Sequence, residues 1–240
     1  MNAPIGRIAL VTGGARRVGA AFSRALAARG YRVAIHYHTG AGEAERLAAE
    51  LGGAARCYAA DLAAPDAPAD LIRRVSADLG GLDVLVNSAS NFFKVPLADV
   101  TEPLWDEVFA VNLRAPFFLA RQAAEVMRDG GCIINMADLA AFETWPDYVP
   151  HGIAKAGVVQ MTRALARQFA PRIRVNAIAP GLVLAPVDMT PAEAAQFAKS
   201  TPLARNGAPQ DVVRALEYLI DASFVTGDVL FVDGGRHVRI

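Results

Sequence analysis

The stretch Arg7–Gly30, RIALVTGGARRVGAAFSRALAARG, runs without a break from a short apolar segment through a glycine-rich turn into a segment of helical periodicity. The apolar run suits a buried strand, and the Ala-, Leu- and Arg-rich segment closes on Gly30 as a helix C-terminus would. Gly13 and Gly14 permit a tight turn, and Gly19 lets helix and sheet approach closely. That geometry leaves backbone N–H groups at a helix N-terminus, where a pyrophosphate can be held. A glycine-rich turn can also be purely structural, but this one lies in the first strand–helix unit, where a dinucleotide belongs. Arg16 and Arg17 are either a solvated surface pair or charge-assisted donors to that pyrophosphate, with Val18 beside them.

Working outward, apolar runs of the same kind recur as YRVAIHYH, ARCYAAD, LDVLVNSA, GCIINMAD, IRVNAIAPG and DVLFVDGG, with helical segments such as AERLAAELGG between most of them. Strands alternating with helices imply an α/β fold: one Rossmann-type, doubly wound parallel sheet with helices on both faces. At 240 residues and 53% hydrophobic content the chain can bury one large core, so residues 1–240 are expected to form a single domain. The 24 basic and 24 acidic residues cancel, which argues against nucleic acid or an anionic membrane as partner. Small molecules and further copies of the chain are the expected partners. Cys57 and Cys132 suit free thiols in a reducing compartment, and hence the cytoplasm. MNAPIGRIALVTGG reads as neither a signal peptide nor a membrane span, and no metal site is assigned. APGLVLAPVDMTPAEAAQF is the helix-poor, proline-rich exception, expected to form a flap near the site.

In such sheets ligands bind beyond the carboxyl ends of the strands. The second strand ends in HYHTG, with His36, Tyr37 and His38 where an acidic residue would hold the ribose hydroxyls of NAD and repel a 2′-phosphate. With these histidines and Arg16 or Arg17 nearby, an extra phosphate is tolerated, which favours NADP. The histidines could equally just cap the strand.

These turns, with the landmarks that follow in order, resemble the short-chain dehydrogenase/reductase family along essentially the whole chain. The landmarks are the glycine-rich turn, Asp61 with Leu62, NSAS at Asn87, Ser88, Ala89 and Ser90, Asn112, the helix carrying Lys155, Pro180 with Gly181, and the final DGG. The likeness is nearest to the pteridine reductases and the bacterial dihydromonapterin or dihydrofolate reductases. It is carried by TGGARRVG, in which Arg17 stands for the family's middle glycine, and by HYH, NSASNFF and FVTGDVLFVDGGRH. The resemblance implies that Asp61 and Leu62 hold the adenine and that Arg17 touches both cofactor and pterin. It implies that Phe92 sandwiches the pterin against the nicotinamide, with Ser90 and the flap residues Leu182 and Leu184 completing the grip. Stacking a flat heterocycle on a phenyl ring is physically sound, although Phe92 and Phe93 could also be ordinary packing.

Hydride transfer to C=N or C=O needs a placed nicotinamide, a proton donor and a nearby cation. The family usually supplies serine, tyrosine and lysine. Its spacing, counted back from Lys155, falls on His151 and Asp138. Aspartate for serine is what the pteridine reductases themselves carry; histidine for tyrosine is a departure. Tyr148 is a weaker alternative donor, since seven residues of helix separate it from Lys155 by about 10.5 Å. Free imidazole titrates near ~6.5, so part of it is protonated at neutral pH. The Lys155 ammonium opposes the imidazolium and the Asp138 carboxylate favours it. An Asp138/His151 pair could thus hold the proton while Lys155 binds the nicotinamide ribose and Asn112 steadies a water chain to the lysine. Ala154, Val158, Met161 and Leu165 form a helical stripe, in this family often part of a tetramer interface but equally readable as core.

The resulting expectation is a cytoplasmic, homotetrameric NADPH-dependent oxidoreductase that reduces a pterin. The alternatives are an NADPH-dependent carbonyl reductase of the same family, and a catalytically impaired NADP-binding sensor or scaffold.

Overall fold

The computed structural model describes residues 6–186 and 189–238. The expectation drawn from the first five residues, and two positions of the proline-rich segment, lie outside the described residues. All seven apolar runs are strands: β1 (Ile8–Val11), β2 (Arg32–Tyr37), β3 (Ala55–Ala59), β4 (Leu82–Asn87), β5 (Met127–Met136), β6 (Ile173–Pro180) and β7 (Val229–Val232). They form one parallel sheet in the order β3-β2-β1-β4-β5-β6-β7. The order reverses between β1 and β4, and the crevice beyond their carboxyl ends is where such folds bind ligands.

Alternation along each strand feeds two separate cores. Ile8 and Leu10 face one layer; Ala9 and Val11 face the other. The first layer is closed by α3 (Ala67–Leu79), α5 (Ala115–Val126) and α6 (Val149–Phe169), and the second by α1 (Arg17–Ala28), α2 (Ala41–Glu50) and α8 (Pro209–Asp221). Fully buried side chains such as Leu10, Phe22 and Leu119 each contribute roughly 1.5–3 kcal/mol of transfer free energy. Val158, Met161 and Leu165 of the α6 stripe belong to the first core and Ala154 is buried too, so the stripe packs within the chain.

Three details position the site. α1 and α2 are followed by Gly30 and Gly52 with left-handed φ of 80° and 62°, as their sequences imply. α4 (Glu102–Phe109) joins α5 through a π-turn at Ala110–Arg114. The proline-rich segment is less helix-poor than expected: it ends in α7 (Pro191–Lys199), started by a reciprocal Thr190/Glu193 capping box. Among the described residues no helix is long and apolar enough to cross a membrane. Cys57 is half-buried and Cys132 buried, both free.

Candidate active site

Two side chains hold the glycine turn after β1 from beneath. The buried Thr12 hydroxyl accepts the Ser88 and Ala89 backbone N–H groups at 2.9 and 3.0 Å, joining the ends of β1 and β4. His36 Nδ1 accepts the Gly13 N–H at 3.1 Å, so Nε2 carries the proton and donates to the Ala60 carbonyl at 3.1 Å. Burial pushes His36 down to about 4, leaving it neutral at physiological pH. This corrects the expectation that His36 helps attract a phosphate: it is a clamp between β2, the turn and β3. Tyr37 is half-buried, its carbonyl accepting the Ala60 N–H, and His38 is exposed beyond the strand. Sequence reasoning missed Thr12 as a functional residue; its one signal is a hydroxyl at the last position of an apolar run.

The turn itself fits an anion. Gly13 has φ +63°, and a Cβ on Gly19 would lie 2.1 Å from the Gly13 carbonyl oxygen, so helix and turn touch there. No side chain caps the N-terminus of α1 and its first turn holds no acid, while Val18 packs against the second core. These features suit a dinucleotide pyrophosphate on the backbone N–H groups. Arg17 takes φ +49°, a conformation natural to glycine that costs an arginine roughly 1–2 kcal/mol. Its Nη2 donates to the carbonyls of Leu184 and Ala185 at 3.0 and 3.2 Å. Arg16 diverges from it, pairing with Glu43 at 2.9 Å and lying across Gly40 beyond β2.

Further along the crevice, Asp61 is exposed and accepts the Ala63 N–H at 2.9 Å, whereas Leu62 is buried in the first core. Asn87 begins a buried polar chain, donating to Asn135 Oδ1 at 2.9 Å, and Asn135 donates to Thr162 at 2.9 Å. Asn112, buried in the π-turn, accepts from the Ser90 hydroxyl at 2.6 Å and donates to Asn91 Oδ1 at 2.5 Å. Its bonds therefore fasten the Ser90–Asn91 loop to the helix, while the ammonium of Lys155 donates to the Met136 carbonyl at 2.8 Å.

Beside that loop lies the group with acid–base chemistry. Asp138 follows β5, His151 lies in the first turn of α6, and Lys155 lies one turn on. His151 Nε2 meets Asp138 Oδ2 at 2.6 Å, and Asp138 Oδ1 accepts the Ala140 N–H at 2.9 Å. Burial alone would raise Asp138, but the His151 hydrogen bond and the Lys155 charge outweigh it, and the carboxylate is held below its ordinary value. Burial lowers Lys155, against the pull of Asp138. His151 is 2% exposed, and among the described residues its Nδ1 has no hydrogen-bond partner. Phe92 lies edge-on to His151 with centroids 4.8 Å apart and stacks on Tyr148 at 4.4 Å, while Trp145 meets Phe92 edge-on at 6.4 Å. Tyr148 ends a 3₁₀ turn just before α6, off the helix that carries Lys155. Trp145 and Tyr148 give Phe92 aromatic neighbours that its own sequence context does not announce.

At the end of β6, a Cβ on Gly181 would meet Asp233 Cα at 3.0 Å, so the residue after Pro180 packs tightly on the chain beyond β7. Leu184 reaches the site through its carbonyl, on Arg17. Leu182 instead lines a cavity of about 370 Å³ with Phe197, Leu203 and Phe231, a lining that holds none of Phe92, His151 and Lys155.

The chain is similar to known proteins along nearly its whole length. A family model described as enoyl-(acyl carrier protein) reductase matches residues 13–237. The chain is 35% identical to 3beta-hydroxysteroid dehydrogenase 1 of Eggerthella lenta, covering 96% of this chain and 93% of that one. It is 36% identical to acetoacetyl-CoA reductase of Rhizobium meliloti, over 96% and 98%. Among solved structures, FolM alternative dihydrofolate reductase 1 from Brucella canis, complexed with NADP, superposes with a TM-score of 0.92 at 33% identity, over 98% of this chain and 95% of that one. Matches of this extent, on a parallel sheet with a glycine turn after its first strand, make the chain a member of the short-chain dehydrogenase/reductase family, oxidoreductases that work with a nicotinamide cofactor.

Proposed function

We propose that this protein is an NADPH-dependent reductase of a pterin-type substrate such as a dihydropteridine, dihydromonapterin or dihydrofolate. The observation that carries the reading is the 2.6 Å contact between His151 and Asp138. The lowered carboxylate keeps Nε2–H as its donor, which directs the other nitrogen, Nδ1, to the substrate. A buried nitrogen without a partner costs about 1–3 kcal/mol, recovered when the doubly protonated ring donates from Nδ1 to a substrate ring nitrogen or carbonyl oxygen. His151 then holds the proton at Nδ1, in the seat the family gives to tyrosine, with Asp138 orienting the ring. Lys155 holds the nicotinamide ribose, and Phe92 offers the flat face on which a pterin stacks. The nicotinamide, when bound, supplies hydride.

NADPH rather than NADH is supported by the lack of an acid at positions 36–38 and by Arg16 and His38 exposed beyond β2. The pterin reading is supported by Arg17 in a glycine's conformation, by Asp138, and by the likeness to the Brucella canis dihydrofolate reductase. The names of relatives such as acetoacetyl-CoA reductase favour a second reading, reduction of a carbonyl substrate. The apolar hollow of Phe109, Leu113, Phe117 and Phe118 on α4, the π-turn and α5 supports self-association.

The test is NADPH consumption with dihydropterins, dihydrofolate and a ketone panel. His151→Ala is expected to lower kcat by about 10²–10⁴-fold, the usual range for a positioned acid. Unimpaired turnover in that variant removes the proton from His151. Turnover of ketones alone transfers the site to the second reading. Tight NADPH binding with no turnover of any substrate makes the protein a sensor.

A further inference from the structure

The loop that carries Trp145 and Tyr148 is fastened from far along the chain. Glu143 accepts a forked pair of hydrogen bonds from Arg236, Nε to Oε1 at 2.8 Å and Nη2 to Oε2 at 2.9 Å. The remaining nitrogen, Nη1, donates to the Ser200 hydroxyl at 2.9 Å, and the guanidinium lies over the Phe197 ring, 4.1 Å from its centroid. One side chain from the turn after β7 thereby joins the loop after β5 to the C-terminal end of α7. Arg236 is itself held in place: on either side of it, the Gly235 and His237 N–H groups donate to the Asp233 carboxylate at 3.0 and 2.7 Å.

Glu143 passes the constraint on. Its Oε2 also accepts the Trp145 indole N–H at 3.0 Å, and the indole meets the rings of Phe92 and Tyr148 edge-on. Phe92 in turn lies against His151. Arg236 and Glu143 side chains are only 21% and 26% exposed. A shielded, forked pair with an aromatic face beneath it fixes geometry in a way that a mobile surface ion pair does not. Lysine, a point charge on a flexible stem, reproduces neither the fork nor the flat stacking.

We infer that Arg236 and Glu143 are positioning residues for the substrate site: they fix Trp145, and through it the Phe92–Tyr148 wall, and lock that wall to α7. This rests on the reading of Phe92 and His151 as the substrate-facing end of the crevice.

The chain has two tryptophans, so a Trp105→Phe background leaves Trp145 as its sole indole reporter. In that background Arg236→Lys and Glu143→Gln are each expected to red-shift Trp145 emission and increase its quenching by acrylamide. Both should raise KM for the pterin about tenfold, with NADPH affinity and Tm unchanged, and the double variant should be no worse than either single one. An unaltered KM alongside the red shift overturns the positioning role. So does a KM rise accompanied by equal losses of NADPH affinity and Tm, which marks a merely structural pair. If wild type reduces no pterin, the functional reading fails on its own. The tether is then judged by fluorescence: a red shift in both variants upholds it, and unchanged emission overturns it.

Discussion

The two ends of the crevice are made of different material. Where β1 and β2 end, the site is backbone locked by buried atoms: Thr12 on Ser88 and Ala89, His36 on Gly13 and Ala60, Gly19 against Gly13. Where β4 and β5 end, it is side chains on loops and on the first turn of α6, with Phe92 meeting the rings of Tyr148, Trp145 and His151. The first construction tolerates almost no change of volume, because a new atom has nowhere to go. The second can change shape at small cost to the fold, which suits a cofactor common to many relatives beside a substrate that differs among them.

Substitutions can break this contrast. Gly19→Ala should have the largest effect: its methyl group falls on the Gly13 carbonyl, and a loss of about 3 kcal/mol or more in urea unfolding is expected, with cofactor affinity lost too. A mild effect would mean that the turn gives way as readily as a loop.

His36 comes next, through pH. Its native value of about 4 lies below that of a free histidine, so on acidification the unfolded chain takes up a proton that the folded one refuses. Its contribution is intact above about pH 6.5 and disappears as pH falls towards 4, by roughly 3 kcal/mol in all. In His36→Asn, chemical unfolding measured across that range should show a correspondingly flatter decline.

Phe92→Leu sharpens the contrast from the other end. Phe92 is 43% exposed, so global stability should change by only about 0.5 kcal/mol. KM for a flat substrate should rise about threefold to tenfold, the worth of one aromatic stack. A large fall in Tm would show that the aromatic wall is core.

The same contrast explains what the sequence discloses. Seven strands and the glycine turn are legible because buried parallel strands are continuously apolar and because the positive φ of Gly13 and the contact of Gly19 with the Gly13 carbonyl are demands of the turn itself. The Asp138/His151 contact is legible from the family's spacing, thirteen residues that the loop and first helical turn bring to hydrogen-bonding distance. The inward turn of His36 has a signal in sequence: it alternates with Ile35 and so shares the face of Ala34, toward the first core. By contrast Arg236 and Glu143 lie 93 residues apart and carry no local pattern, so their pairing emerges only from the packed fold. The φ of Arg17 is announced only by the resemblance, in which Arg17 stands for the family's middle glycine, and not by any preference of arginine itself.

The Thr12 hydroxyl has a thermodynamic consequence. It closes a contact across 76 residues, at the seam where β4 lies beside β1. The His36 clamp spans only 23 and is available to the first three strands alone. The cradle is thus complete only in a chain whose sheet has closed at its centre. Any nucleotide that it holds is a ligand of the folded state and raises global stability by RT ln(1 + [L]/Kd), about 2.7 kcal/mol at a hundredfold excess over Kd. The saturation of this protein with its cofactor therefore also sets how much of it survives heat, proteolysis and dilution.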